Sequence, residues 1–324
     1  MSIINYLSQT LYISEAEIQK FVNTAPHRYK QYQIPKRNNN GVRLIAQPAA
    51  ELKVMQLLAI SQLQEALPVH SSATAYCRGK GIKDNAKAHA KNSYLLKMDF
   101  KDFFHSIRPS DLVRHYSKHI GEIDETTAKQ ITKLFFWTPK RTSSLILSIG
   151  SPASPFISNT IMYQFDCLIT EICNNKGITY TRYADDITFT TNIRGSLFQI
   201  PQLVTSLCKE IDYPRLSINS EKTVFSSKGN NRHITGVTIT NEGNLSLGRY
   251  KKREIKSLVF DCINNKLDAT ERRKLSGLLA HVKHIEPTFF ISLIKKYGYS
   301  EIAKITSNKP ALEVVATPPL PVCD

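Results

Sequence analysis

Three aspartates offer the most specific chemistry in this sequence. Asp185 and Asp186 are adjacent in Tyr183-Ala184-Asp185-Asp186, and Asp99 closes the run Leu95-Leu96-Lys97-Met98-Asp99. Carboxylate oxygens are hard ligands suited to Mg²⁺. Two carboxylates on one turn, with a third from a neighbouring strand, have the layout of a two-metal phosphoryl-transfer site. In such a site two ions clamp the attacking and leaving oxygens. Held this close, the acids should repel and be partly protonated unless a cation is bound. The competing reading is a solvated Asp-Asp turn, since acids favour turns. The flanks weigh against it. Residues 180–191 contain no glycine, little net charge and many Thr, Ile and aromatic side chains, which suit a pleated surface.

The elements that must position these acids can be read in outline. Residues 178–183 and 187–191 predict two strands joined at the Asp-Asp pair as a hairpin. Residues 93–100 predict a third strand. Before it, Ser14-Glu15-Ala16-Glu17 is a capping box opening a helix to about Thr24. A strand pair at Tyr29–Pro35 and Val42–Gln47 follows, its turn at Arg37–Gly41 and Lys36, Arg37 and Arg43 near its tip. A helix over Glu51–Leu67 comes next, and residues 71–92 give no clear pattern. Beyond the third strand, Pro109 starts a helix. Ser151-Pro152-Ala153-Ser154-Pro155 is a punctuated loop, with Ser154 as the expected N-cap of a helix to about Asn175 and Gly177 closing it. A helix from Pro201 to Asp212 and short strands near 223–226, 233–240 and 245–247 complete the pattern. The expectation is an α+β core, an antiparallel sheet with helices on one face, followed by two or three helices over 249–306 and a proline-bearing tail over 307–324.

Composition narrows the partners. The chain has 324 residues, with 43 Lys and Arg against 27 Asp and Glu, a formal net charge of +16. That excess predicts a polyanionic partner, most simply nucleic acid. Residues 246–306 alone carry thirteen Lys or Arg against six Asp or Glu, a net +7. No window approaches the ~18 uninterrupted apolar residues of a membrane span, and the N-terminus lacks a signal-like pattern. A cytoplasmic protein with no membrane role is expected. The six cysteines form no CxxC or Cys/His metal spacing and read as buried small hydrophobes in a reducing compartment.

With these residues in view, the chain resembles a bacterial retron-type reverse transcriptase. Met98-Asp99-Phe100-Lys101-Asp102-Phe103-Phe104 is similar to the family's first catalytic motif, an Asp followed five residues later by an aromatic. Tyr183-Ala184-Asp185-Asp186 matches its catalytic hairpin, and Gly150 to Pro155 its Gly-x-Pro-x-Ser-Pro loop. Asn85-Ala86-Lys87-Ala88-His89 matches the Asn-Ala-x-x-His signature of retron enzymes, and Ile234-Thr235-Gly236 their Val-Thr-Gly. Read alone, the first of these is equally a structural helix, and Thr235-Gly236 a strand bulge. One departure is Ile149, where the family usually carries a Gln that touches the template or nascent pair.

The resemblance implies a right-hand polymerase fold. Residues 1–92 would form an N-terminal helix and fingers, and 93–247 the palm, with a fingers segment inserted near 111–150. Residues 248–306 would form a basic helical thumb. It implies RNA-directed DNA polymerase activity with two Mg²⁺ ions on Asp99, Asp185 and Asp186, aided by the Phe100 backbone carbonyl. Phe104, rather than Phe103, would lie beneath the sugar and exclude a 2′-hydroxyl. Arg43 and Lys36 would reach the triphosphate, and Lys222 would protonate the pyrophosphate. RNA contacts are expected from Asn85 and His89 and from the thumb residues Lys251, Lys252, Arg253, Arg272, Arg273 and Lys274. The implied partners are deoxynucleoside triphosphates, a cognate structured non-coding RNA serving as template and primer, its DNA product (branched, RNA-linked msDNA), and a separate effector protein in anti-phage defence. Intron-type and diversity-generating reverse transcriptases, and a non-catalytic RNA-binding scaffold, are the alternatives.

Overall fold

The computed structural model describes residues 2–36, 41–140 and 143–307. The expected hairpin turn at 37–40 and the expected tail over 308–324 lie outside the described residues. The chain divides into two compact units, Met1–Asn230 and the part from Asn231 onward.

The first unit opens with α1 (Ile3–Leu11) and α2 (Glu15–Thr24). Ser14 and Glu17 form the capping box at the start of α2. Strands β1 (Tyr29–Pro35) and β2 (Val42–Pro48) pair antiparallel as a two-stranded ribbon. Next come α3 (Ala50–Leu63), α4 (Ile82–Ala88) and the strand β3 (Tyr94–Asp99). The helices α5 (Phe103–Ser106), α6 (Pro109–His119) and α7 (Glu125–Phe135) lead to the short pair β4 (Phe136–Trp137) and β5 (Ile146–Leu147). After the punctuated loop stand α8 (Ser154–Ile161) and α9 (Tyr163–Asn175). Ala153, not Ser154, holds the N-cap position of α8. Gly177 takes the left-handed conformation (φ 63°) that ends α9. Strands β6 (Thr179–Tyr183) and β7 (Asp186–Thr191), helix α10 (Ile200–Glu210) and strand β8 (Val224–Ser227) complete the unit.

The sheet that carries the acids has the order β6-β7-β3-β8, and every pairing is antiparallel. Its apolar face, including Leu96, Met98, Ile187 and Phe189, joins one buried cluster with Phe165, Ile169 and Val204 of the helices. Burial of this kind is the main favourable term in folding. The unassigned stretch 71–92 proves to be two features. Residues 82–88 form α4, and residues 71–77 run beside β6, with a parallel bridge between Ala73 and Arg182.

The punctuated loop is fixed from two sides. Fully buried Gln56 of α3 donates to the Tyr29 hydroxyl and the Leu134 carbonyl, and accepts from Ser151 Oγ at 2.8 Å. The Ala46 amide of β2 donates to the Ile149 carbonyl at 2.9 Å. This close docking leaves no room for a side chain at residue 150.

In the second unit, β9 (Arg232–Ile234), β10 (Val237–Ile239) and β11 (Leu245–Ser246) form a three-stranded antiparallel sheet. These strands group with the helices that follow, in the unit from Asn231 onward. Thr235 (φ 46°) and Gly236 (φ 88°) make the two-residue turn between β9 and β10. They are a tight hairpin turn, for which positive φ at both positions is favoured, and not a bulge. Four helices follow among the described residues: α11 (Arg249–Ile263), α12 (Ala269–Ile285), α13 (Pro287–Tyr297) and α14 (Tyr299–Ser307). Pro287 and left-handed Gly298 (φ 88°) divide what the sequence read as two or three.

Two glycines should respond oppositely to alanine. At Gly150 (φ 125°) an added Cβ would lie 2.9 Å from the Ala46 carbonyl oxygen. Gly150→Ala should therefore cost about 1–3 kcal/mol. Gly277, inside α12, would meet nothing within 4 Å, and Gly277→Ala should stabilise by about 0.5–1 kcal/mol. Chemical denaturation of both variants measures the pair.

Candidate active site

The sheet register assembles the three acids. Asp99 ends β3 directly opposite Asp186, the first residue of β7. The loop between β6 and β7 is Ala184-Asp185, flanked by the pair Tyr183 and Asp186. Only one acid of the pair therefore sits in the turn, and the other opens a strand. The Phe100 amide donates to the Asp185 carbonyl at 3.1 Å, and the Asn219 amide to the Asp99 carbonyl at 2.8 Å. The first contact ties the end of β3 to the Asp185 turn, and the second ties it to the residue before the 3₁₀ turn that carries Lys222.

The turn is unusual in its first residue. Ala184 has φ 57°, a region L residues seldom adopt. Its carbonyl accepts from Arg182 Nη1 at 3.2 Å. That guanidinium is fully buried and also bonds Asn159 Oδ1 at 3.0 Å and both carboxylate oxygens of buried Asp166, the shortest contact being 2.6 Å. Tyr180 donates to the same carboxylate at 2.8 Å. The sequence reading missed this set. Its signal was a charge inside each of two apolar runs: Asp166 between Phe165 and Cys167-Leu168-Ile169, and Arg182 within a β-branched and aromatic strand. Charges in such runs are almost never buried unless paired.

The electrostatics are those of crowded acids. Burial, then the charges of Asp185 and Asp99, push Asp186 up to about 6. Burial and Asp99 also raise Asp185, while Lys222 and Arg43 oppose the shift. Lys222 lies in a 3₁₀ turn over Ser220–Lys222 and donates from Nζ to Asp99 Oδ1 at 2.8 Å. Partial burial disfavours its ammonium, but the hydrogen bond to Asp99 and the three carboxylate charges prevail and raise its pKa.

Three hard-oxygen side chains that repel one another are a donor set suited to a divalent cation. As they stand, among the described residues, no three His, Cys, Asp or Glu side chains form a closed metal-ligand set. The Lys222 ammonium is the cation on Asp99.

A cavity of about 420 Å³ lies against Tyr76, Phe104 and the punctuated loop, from Ser148 to Pro155 with Ile149 included. The two candidate rings, Phe103 and Phe104, separate clearly. Phe103 is buried and stacked on Phe100 at 5.9 Å, whereas Phe104 is partly buried and faces the cavity. Arg43 is exposed on β2, and its charge acts on Asp185 and on the Tyr76 hydroxyl. Lys36 is exposed beyond β1 and is not among the charges acting on Asp185 or Asp186.

The expected RNA contacts need correction. Asn85 and His89 are buried, 1% and 0% exposed, and as the protein stands neither can meet RNA. Thr181 donates to Asn85 Oδ1, so its oxygen accepts from His89 Nε2, at 2.7 Å; Thr190 bonds Nδ1 at 2.7 Å. The signature braces β6 against β7. Burial lowers His89 to about 3, which keeps the ring neutral.

In the second unit Lys252 pairs with Glu286, which also accepts from Ser246 Oγ and the Leu247 amide. Lys251 pairs with Glu254. Arg272 is half-buried and bonds the Leu267 carbonyl and Asn265 Oδ1, so its side chain closes the connection between α11 and α12. Arg253, Arg273 and Lys274 are exposed.

The family profile described as reverse transcriptase (RNA-dependent DNA polymerase) matches residues 34–239. The chain is 44% identical over 279 residues to the retron Ec83 reverse transcriptase of Escherichia coli, covering 86% of this chain and 89% of that protein. To the retron Ec73 reverse transcriptase of Escherichia coli it is 33% identical, covering 85% and 89%. The chain belongs to the retron reverse transcriptases. The retron Ec86 reverse transcriptase of Escherichia coli is 26% identical, with 94% and 93% covered. As a family member the chain is an RNA-directed DNA polymerase with an RNA template, a DNA product and a requirement for divalent metal ions. It has the right-hand polymerase fold. No helix among the described residues is long and apolar enough to cross a membrane.

A neutral buried His89 sets a pH signature. Its folded pKa lies far below the ordinary value of 6.5, so the unfolded chain takes up the proton first. Stability from this group is complete above about 6.5 and is lost as pH falls toward 3. His89→Gln should lower stability at pH 7, flatten the fall between pH 6.5 and 4, and leave RNA affinity at neutral pH unchanged. Melting curves across that range, with an RNA titration at pH 7, check all three.

Proposed function

We propose that this retron reverse transcriptase copies a cognate structured RNA into a single DNA strand that stays joined to the RNA through a 2′-hydroxyl branch. Two Mg²⁺ ions on Asp99, Asp185 and Asp186 would serve the reaction. The observation that carries this reading is the register pairing Asp99 with Asp186 beside the Asp185 turn, with the burial and neighbouring negative charge that raise Asp185 and Asp186. The resemblance to retron enzymes over most of the chain supports the RNA-primed product. It also supports a role beside a separate effector in anti-phage defence.

Bound at these carboxylates, divalent cations would neutralise the triphosphate and favour ionisation of the attacking 3′-hydroxyl. The chain's own residues do the rest. Lys222, kept protonated beside the acids, is the proton donor for the leaving pyrophosphate. Arg43 and, from further out, Lys36 supply charge-assisted donors to the triphosphate. The Phe104 ring lies under the sugar, where a 2′-hydroxyl would meet it. In the thumb, exposed Arg253, Arg273 and Lys274 contact phosphates, which suits RNA stems read by shape and backbone.

Three measurements test this reading. Asp185→Asn should abolish primer extension, by several orders of magnitude, while RNA binding persists; near-normal extension would remove the metal assignment. Phe104→Ala should relax discrimination against ribonucleotides in relative incorporation efficiency, and Phe103→Ala should mainly lower stability. Arg273→Glu with Lys274→Glu should weaken RNA binding and lower its salt slope by roughly 0.7–0.9 for each phosphate no longer neutralised. An unchanged slope and affinity would make these side chains a solvated helix face.

A further inference from the structure

Tyr76 combines two features that rarely occur together. Its backbone is left-handed, with φ 60°, and its ring is 56% exposed. A bulky residue adopts that conformation only where its surroundings impose it, and such outliers gather at functional sites. Here the surroundings are explicit. The Thr74 amide donates to the Arg182 carbonyl at 2.8 Å, and the Arg182 amide donates to the Ser72 carbonyl at 2.9 Å. Asn159 Nδ2 donates to the Ala75 carbonyl at 2.8 Å. Ala73 and Ala75 are buried. The buried residues just before Tyr76 are thus fastened to β6 and α8, and the turn at Tyr76 then points an aromatic ring outward where burial would ordinarily favour the interior.

The ring faces the cavity of about 420 Å³ that Phe104, Ile149 and Gly150 also line, a size suited to a bound nucleotide. Asp185 and Arg43 both act on its hydroxyl, so the ring stands within electrostatic reach of one of the three acids and of the candidate triphosphate donor. Ile149 supplies an aliphatic side chain to this wall where the family usually has an amide.

We propose that Tyr76 is a specificity-determining residue of the nucleotide site, its ring stacking on the base of the nascent pair while Phe104 takes the sugar. The proposal rests on the polymerase reading above. Stacking of this kind depends on the π-face and not on the hydroxyl, and is strong enough to be seen on removal of one ring.

The test is single-nucleotide addition on a pre-annealed DNA primer and RNA template. Tyr76→Ala should raise KM for the correct deoxynucleotide about ten-fold. It should also lower discrimination against a mispaired one, with kcat and Tm close to wild type. Tyr76→Phe should match wild type in every respect. Should the alanine variant melt early, Tyr76→Leu, which keeps bulk without a ring, carries the same expectation. Wild-type KM and discrimination in Tyr76→Ala or Tyr76→Leu would overturn the proposal, as would equal damage in Tyr76→Phe. Incorporation by the wild-type chain in the same assay reports on the polymerase reading separately, since that reading fails only if the unaltered protein adds no nucleotide.

Discussion

The buried ion pair of Arg182 with Asp166 is the contact on which the catalytic corner depends. Both side chains are fully excluded from solvent, and their closest atoms are 2.6 Å apart. Removing two charges from water costs several kcal/mol per ion, and an unpaired survivor would be strongly destabilising. The fork geometry of the guanidinium offsets this, because its donors reach the carboxylate, Asn159 and the Ala184 carbonyl at once. One side chain therefore joins α9, α8 and the turn that carries Asp185. Its backbone also holds the segment leading to Tyr76. A hydrophobic pair of equal volume could pack between the helix and the strand, but it could not hold a left-handed alanine by its carbonyl.

The strained turn and the crowded acids belong to one arrangement. Opposing Asp99 to Asp186 across the sheet puts like charges together at the ends of two central strands. Burial and then repulsion raise Asp185 and Asp186, so the fold carries an electrostatic cost that a cation relieves. Lys222 relieves part of it from the third side. Further along the same face of the sheet the demand is opposite. His89 stays neutral and links Thr181 to Thr190, bracing β6 against β7 without adding charge.

Much of this was legible in the residues. Alternating Thr, Ile and aromatic side chains marked β6 and β7, the run ending at Asp99 marked β3, and the joint spacing of the acids pointed to phosphoryl transfer. The rest was hidden for identifiable reasons. Asn85 and His89 are polar, and polarity alone does not separate a surface contact from a buried hydrogen-bonded brace. Arg272 counts as one more charge in a basic helix, yet it bonds a carbonyl and an asparagine. Residues 71–77 show no periodicity because they are held by single bridges to β6 and α8 and not by a ladder of their own. The short strands after β8 read in the residues as a continuation of the sheet, but among the described residues they pair with one another.

The central claim is that the Arg182 fork fixes the geometry of the turn and not merely the stability of the fold. Arg182→Lys keeps the buried positive charge but cannot bond Asp166, Asn159 and Ala184 together. The decisive measurement is the primer-extension rate of this variant against divalent-cation concentration, at a temperature well below its melting point. The expected variant is a folded protein that binds RNA, extends at least ten-fold more slowly and needs more cation to reach half its maximal rate. A wild-type rate with unchanged cation dependence would contradict it.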